Sequence, residues 1–154
     1  MGIKSFQGSR KNSNVMEQTP LLVRDYMTTS MVKFRPEQSI EEVIQELITK
    51  RISGGPVVNE QNELVGIISE GDCLKQISDS RYYNMPMAQD IVESRMITDV
   101  ETIDGNMNVF DAANKFLDSK RRRFPIVRDG KLIGLISQKD ILKAALKLKG
   151  QNWK

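Results

Sequence analysis

The chain repeats itself. Met27 recurs as Met96, Thr29 as Thr98, Pro56 as Pro125 and Val58 as Val127, each pair 69 positions apart (96 minus 27). From Leu64 onward the offset is 68 (140 minus 72): Leu64 pairs with Leu132, Gly66 with Gly134, Ser69 with Ser137 and Asp72 with Asp140. The offset changes in a polar stretch between two apolar runs, where a surface turn absorbs an insertion or deletion. Two halves of one design must adopt one fold. Units of about 60 residues bury a core poorly alone, so the halves are expected to pack face to face about a pseudo-twofold axis.

Within each half the order of elements is strand, helix, strand, strand, helix. In the first half, Met31 to Phe34 reads as a short strand ended by Pro36. Ile40, Val43, Ile44, Leu47 and Ile48 then recur at helical spacing and mark one apolar face of a helix from Ser39 to Arg51. Ser39 and Glu42 form a capping-box pattern at its start, and Gly54-Gly55 are expected to stop it. Pro56-Val57-Val58 and Leu64 to Ser69 read as a hairpin across the polar residues 59–63. A second helix begins near Glu70 and carries Cys73, Leu74 and Ile77. In the second half, Val100 to Ile103 is the strand, and Asn108 caps a helix faced by Val109, Ala112, Ala113, Phe116 and Leu117. Pro125 to Val127 and Leu132 to Ser137 form a hairpin across Asp129-Gly130, a strong tight-turn signal. A final helix runs from Gln138 to Lys149 with Ile141, Leu142, Ala145 and Leu148 inward. This is an α/β (α+β) chain of two β-α-β-β-α repeats. Residues 1–19, polar and without periodicity, read as a flexible arm. The first repeat spans 20–77, a connector 78–90, the second repeat 91–149 and a tail 150–154.

Composition removes whole classes of chemistry. The 154 residues include no histidine and one cysteine, Cys73. His-based zinc sites and Ser-His-Asp or Cys-His catalysis are therefore excluded, as is an internal disulfide. A net charge of +3 is too small to argue for nucleic acid by itself. No apolar run approaches the roughly 20 residues that span a bilayer. The N-terminus lacks an apolar signal stretch, and Phe6 stands where myristoylation wants Ser or Thr. The expectation is a cytoplasmic chain with no catalytic cofactor and no membrane contact.

Chemistry concentrates where the last strand of each half meets its last helix. Both halves place Ser-x-x-Asp there, as Ser69/Asp72 and Ser137/Asp140. A helix N-terminus offers unpaired N–H groups and a positive dipole end to a phosphate. A carboxylate one turn in can accept hydrogen bonds from the vicinal hydroxyls of a ribose. The same pattern is also an ordinary helix start, with Ser and Asp capping each other. A second feature breaks the symmetry. Lys120-Arg121-Arg122-Arg123 precede Pro125, whereas Arg51, Ile52, Ser53 and Gly54 stand before Pro56. Arg122 and Arg123 could hold a phosphate through their planar forks, or could be a solvated basic helix end. Lys139, Lys143 and Lys147 read as an exposed stripe. Cys73 aligns with Ile141 and reads as an inert apolar filler. Met85 and Met87 read as packing residues. Tyr82, Tyr83 and Trp153 are too scattered for base stacking.

Taken in order and twice over, these motifs resemble the CBS domain, across about residues 20 to 148. The resemblance implies a pair of domains forming a disc-like module with two clefts, commonly assembled as a homodimer. It implies adenosyl ligands: AMP, ADP, ATP, S-adenosylmethionine or NAD. Matched position by position, the favoured cleft takes Thr102, Arg122, Arg123, Pro125, Ser137 and Asp140. The other takes Lys33, Ser53, Ser69 and Asp72. There Lys33 replaces the usual Ser or Thr, and Ser53-Gly54-Gly55 bring no charge before Pro56. The implied role is regulatory nucleotide sensing that acts on an effector protein. A ligand-free dimerisation scaffold is the other reading, and a nucleic-acid binder using residues 120–123 the least favoured.

Overall fold

A computed structural model of the chain describes residues 21–82 and 90–152. The readings made for the arm (1–19), for Tyr83, Met85 and Met87, and for Trp153 lie outside the described residues.

The first long helix, α1 (Ile40–Lys50), starts as its sequence dictates. Ser39 Oγ accepts from Glu42 N at 3.1 Å, and Glu42 Oε1 accepts from Ser39 N at 3.3 Å. This reciprocal pair satisfies two orphan donors. The helix stops at Arg51, which takes the left-handed conformation at φ 57°, rather than at the glycines. Gly54 and Gly55 instead open strand β1 (Gly54–Val58). β1 pairs antiparallel with β2 (Leu64–Ser69), and α2 (Glu70–Tyr82) follows directly. A short turn of helix, α3 (Val92–Arg95), leads into the second half.

There strand β3 (Ile103–Asp104) precedes α4 (Val109–Ser119), capped by Asn108. α4 also ends on a cation in the left-handed region, Lys120 at φ 60°. A basic residue at that place offsets the negative end of the helix dipole. Strands β4 (Arg123–Arg128) and β5 (Lys131–Ser137) form the second hairpin. Its turn residues Asp129 and Gly130 both have positive φ, 54° and 82°, as a tight primed turn requires. The last helix, α5 (Gln138–Asn152), runs past Lys149 because a single glycine, Gly150, is tolerated within a helix at a cost of about 1 kcal/mol.

The opening strand of each half is shorter than its apolar run suggests. In the first half it reduces to one parallel bridge, Phe34 with Val57. In the second, Ile103 pairs with Ile126 and Asp104 with Val127. The residues before Phe34 have no strand beside them because they are crossing between halves. Thr28 pairs with Leu135 of the second half, and Ile97 pairs with Ile67 of the first.

This crossing extends to the cores. Val23, wholly buried, packs with Ile103, Phe116, Phe124, Ile126 and Ile136 in the second half. Val92 packs with Phe34, Ile40, Val43, Val57 and Ile68 in the first. Each core is completed by the lead segment of the other repeat. Burying one such valine is worth about 1.5–3 kcal/mol, so neither half closes its core from its own residues.

The pairings are twofold-related throughout. Leu22 bridges Asn108 as Ile91 bridges Ser39, and Glu63 bridges its own mate, Lys131. Leu64 N donates to Gly130 O at 3.2 Å while Leu132 N donates to Asn62 O at 3.0 Å. The pseudo-twofold axis passes between the two hairpin loops.

The helix faces differ from the periodicity in one respect. Leu74 and Leu142, mates in the repeat, are 65% and 64% exposed. Ile48 and Leu117, also mates, face outward as well. Their apolar stripes are wider than the core can cover. On α5 the fully buried position is Ala144, and its mate on α2 is Gln76, also fully buried.

Candidate functional site

Both Ser-x-x-Asp starts fold identically. Ser69 N and Oγ donate to Asp72 Oδ2 at 2.9 and 3.0 Å. Ser137 N and Oγ donate to Asp140 Oδ2 at the same distances. In return Ser137 Oγ accepts from Asp140 N at 3.2 Å. The capping role is therefore realised in both halves. It uses one carboxylate oxygen, and Oδ1 of Asp140 has no hydrogen-bond partner among the described residues.

Two clefts open at this end of the molecule, away from the hairpin loops. The larger, about 460 Å³, holds Ser137 and Asp140 from the start of α5. Its opposite wall is the crossing segment of the first repeat, with Thr28, Ser30, Met31 and Val32. Lys50 and Ile52 close one side, Lys139 and Lys143 another. Its volume falls in the usual range for small-molecule sites. The second cleft, about 340 Å³, straddles the pseudo-twofold axis. Pro56 faces its mate Pro125 there, and Ile67 faces Leu135. Ser53, Ser69 and the run Lys120 to Arg123 also line it.

Arg123 belongs to both clefts. It opens β4 opposite Ser137, the position Gly54 holds opposite Ser69. Its Nη1 reaches across the boundary between repeats to Ser53 Oγ at 3.4 Å.

The residues singled out from sequence thus divide differently. Ser137, Asp140 and Arg123 share the larger cleft. Arg122 and Pro125 line the axial cleft instead, together with Ser53 and Ser69. Arg122 lies just before β4, and its carbonyl accepts from Gln138 N at 3.4 Å. Thr102, Lys33 and Asp72 line neither cleft. Thr102 precedes β3, and the strand order β3-β4-β5 puts β4 between it and Ser137. Two strand spacings amount to about 10 Å. Lys33, beside Phe34, donates to Asn62 Oδ1 at 3.2 Å, toward the hairpin loop.

Thr28, Ser30 and Lys50 were not foreseen, because the segment that carries the first two comes from the other repeat. Lys139 and Lys143 are exposed, yet they rim the larger cleft. Their spacing of four on a helix that begins just after Ser137 is the signal that could have placed them there.

The electrostatics of the two halves diverge. The larger cleft carries four cations, Lys50, Arg123, Lys139 and Lys143, and one carboxylate, Asp140. The repeat mates of the first three cations are Ser119, Gly54 and Gly71, and only Lys143 has a cationic mate, Lys75. Where the cleft has Ser30 and Val32, the mates are Asp99 and Glu101. Glu101 is held below the usual carboxylate range, first by its hydrogen bond with Lys115. It pairs with Lys115 at 3.0 Å and with Arg121 at 3.4 Å. Arg121 is thereby partly neutralised, whereas Arg122 and Arg123 have no carboxylate partner among the described residues.

Beside the clefts lies an apolar groove of about 360 Å³ between α1 and α2, lined by Ile44, Leu47, Ile48, Cys73, Leu74 and Ile77. Burial, and then the Asp72 and Glu70 carboxylates, push the Cys73 thiol up from its ordinary value of 9.0. That keeps it protonated and unreactive near neutral pH.

Residues 23–79 and 88–147 each match the family model of the CBS domain. The chain is 30% identical over 139 residues to CBSX1, a chloroplastic CBS domain-containing protein of Arabidopsis thaliana. That match covers 75% of this chain and 59% of the relative. The chain spans about half the length of the curated relatives it matches. Among solved structures, CBSX2 in complex with AMP superposes with a TM-score of 0.73 at 29% identity, covering 84% of this chain and 98% of the other. The CBS domain pair of protein MJ0100, in complex with 5-methylthioadenosine and S-adenosyl-L-methionine, superposes with a TM-score of 0.67 at 26% identity, covering 85% and 100%. No helix among the described residues is long and apolar enough to cross a membrane.

Proposed function

This chain belongs to the CBS domain family, as a tandem pair, and from that premise we propose that it is a regulatory module binding a phosphorylated adenine nucleotide in the Ser137 cleft. The observation that carries the reading is the charge difference between that cleft and its repeat mates. Four cations surround one carboxylate there, while the corresponding positions in the other half bring Asp99 and Glu101. The similar structures with AMP and with S-adenosyl-L-methionine support an adenosyl ligand. The cation excess favours AMP, ADP or ATP over S-adenosylmethionine, whose sulfonium is itself positive, with NAD between them.

Each part of the cleft has a task in this reading. Met31, Val32, Ile52 and Leu135 offer apolar surface to the adenine ring. The Oδ1 of Asp140 accepts from the ribose hydroxyls. Ser137, the N-terminal amides of α5 and the cations hold phosphate. No bond is made or broken. The ligand acts by preferring one arrangement of the module, which is the free energy available to an effector protein. The outward apolar faces of Ile48 and Leu74, and of Leu117 and Leu142, are where a second copy would pack as a homodimer.

One observation favours the ligand-free scaffold instead: Ser137 and Asp140 are already paired, just as Ser69 and Asp72 are. Thermal melts with AMP, ADP, ATP, S-adenosylmethionine and NAD separate the two. A ligand at 100 times its Kd stabilises by about 2.7 kcal/mol. A raised midpoint with AMP, ADP or ATP supports the nucleotide reading. If none of the five moves the midpoint, the scaffold reading stands in its place.

A further inference from the structure

Ser30 stands exposed in the wall of the Ser137 cleft. It belongs to neither helix nor strand, and its hydroxyl has no hydrogen-bond partner among the described residues. The two other hydroxyls that line this cleft are held. Ser137 Oγ donates to Asp140 Oδ2 at 3.0 Å. Thr28 is fixed through its backbone, its N donating to Leu135 O at 2.8 Å and its O accepting from Leu135 N at 2.9 Å. Ser30 has no such bridge among the described residues, so it is the hydroxyl of this cleft that an enzyme can draw toward itself.

The surroundings of Ser30 suit a phosphoryl group. Lys50, Arg123, Lys139 and Lys143 line the same cleft. None of the four pairs with a carboxylate among the described residues. One carboxylate, Asp140, lines the cleft, and its Oδ2 already accepts from Ser137. The repeat offers a comparison within the molecule. The mate of Ser30 is Asp99, which is also exposed. The fold thus already carries an anion at the twofold-related position. Ser30 contributes to neither core, so an added group there leaves the packing intact.

We propose that Ser30 is a phosphorylation site, and that its phosphoryl group engages the cations that otherwise take the nucleotide's phosphate. The second part rests on the nucleotide reading of this cleft. The reaction needs a protein kinase and ATP. Ser30 Oγ attacks the γ-phosphorus, the Oγ–P bond forms as the bond to the ADP oxygen breaks, and the hydroxyl proton passes to the kinase's catalytic carboxylate. ADP leaves. The product carries about −1.5 to −2 charges at neutral pH and three acceptor oxygens. It is tethered at the cleft, so it meets the cations at high effective concentration. A nucleotide phosphate arriving there finds those donors engaged and a like charge beside it. Phosphorylation therefore switches nucleotide sensing off without unfolding the module.

The full chain is tested in two forms, one unmodified and one with phosphoserine placed at position 30 during translation. Mass spectrometry of the chain from its native cells finds a phosphoryl group on the peptide that holds Ser30, and Ser30→Ala removes it. In calorimetric titrations AMP binds the phosphoserine form at least about tenfold more weakly than the unmodified form. The phosphorus NMR signal of the phosphoserine loses its second proton below the usual value of about 6, because four cations outweigh Asp140 in favouring the dianion. Arg123→Gln and Lys143→Gln each move that titration back up. A native chain without the phosphoryl group overturns the modification. AMP affinity within about twofold of the unmodified form overturns the switch. An ordinary titration overturns the placement among the cations. If the unmodified chain does not bind AMP, the nucleotide reading fails and the switch with it, while the phosphorus signal still decides whether the phosphoryl group meets the cations.

Discussion

Met27 lies against Gly134 so closely that a β-carbon on the glycine would stand 2.6 Å from the methionine sulfur. Met96 stands in the same relation to Gly66. The sulfur in each case comes from the other repeat. These two contacts are where each crossing segment is locked to the sheet it completes.

Gly134→Ala is therefore expected to destabilise the chain by about 1–3 kcal/mol, as overpacking does. The methionine end can yield, but the new methyl would also meet Thr28 O at 3.0 Å, which is backbone. Met27→Ala in the same chain should recover part of the loss. Urea midpoints of the single and double variants give the coupling energy. Strict additivity would contradict the lock.

Gln76 predicts the opposite sign. It is fully buried, and neither Oε1 nor Nε2 has a hydrogen-bond partner among the described residues. A buried amide left unpaired costs about 1–3 kcal/mol. Gln76→Met keeps the shape and removes the polar atoms, so its denaturation midpoint should rise. A midpoint that falls would mean the amide is satisfied in solution.

Asp72 and Asp140 make the same cap, so alanine at either position should cost about 1 kcal/mol of stability. Only Asp140 lines the larger cleft. Asp140→Ala is expected to weaken AMP by more than about tenfold, the loss of a charge-assisted hydrogen bond. Asp72→Ala should leave AMP within about twofold. Equal losses in calorimetric titrations would remove the distinction between the halves.

Cys73 links stability to alkaline pH. Its folded-state thiol is raised above the ordinary 9.0 by burial first. The folded chain thus keeps a proton that the unfolded chain releases near that pH. The contribution is fully present below about 9 and is lost as pH rises through the folded value. Melting midpoints should fall faster above pH 9 in the parent than in Cys73→Ala. Parallel curves would show the thiol to be exposed to solvent.

How much of this was legible in the chain depends on distance along it. The capping box at Ser39 and Glu42, the turn at Asp129-Gly130 and the Ser-x-x-Asp starts are made by residues within four positions of each other. Their geometry follows from local sterics and hydrogen bonds, and all of them formed where the residues stood. The repeat and its family followed from the same local patterns occurring twice. Helix ends were less legible: Arg51 and Lys120 take a conformation more often given to glycine.

The cleft itself was half legible. Ser137, Asp140 and Arg123 meet because β4 and β5 are neighbours joined by a tight turn. Thr102 and Arg122 did not join them, because β4 intervenes in one case and the axis in the other. Thr28, Ser30 and Lys50 come from the first repeat and reach Ser137 only through the crossing. The sequence by itself determined two copies of one unit, their helices, hairpins and caps, and an excess of positive charge before Pro125. Tertiary structure alone decided that each unit finishes the other's core, and hence which side chains share a cleft. The reason is physical: burial rewards whichever apolar segment covers the open face of a sheet, and no periodicity in a chain records which segment that will be.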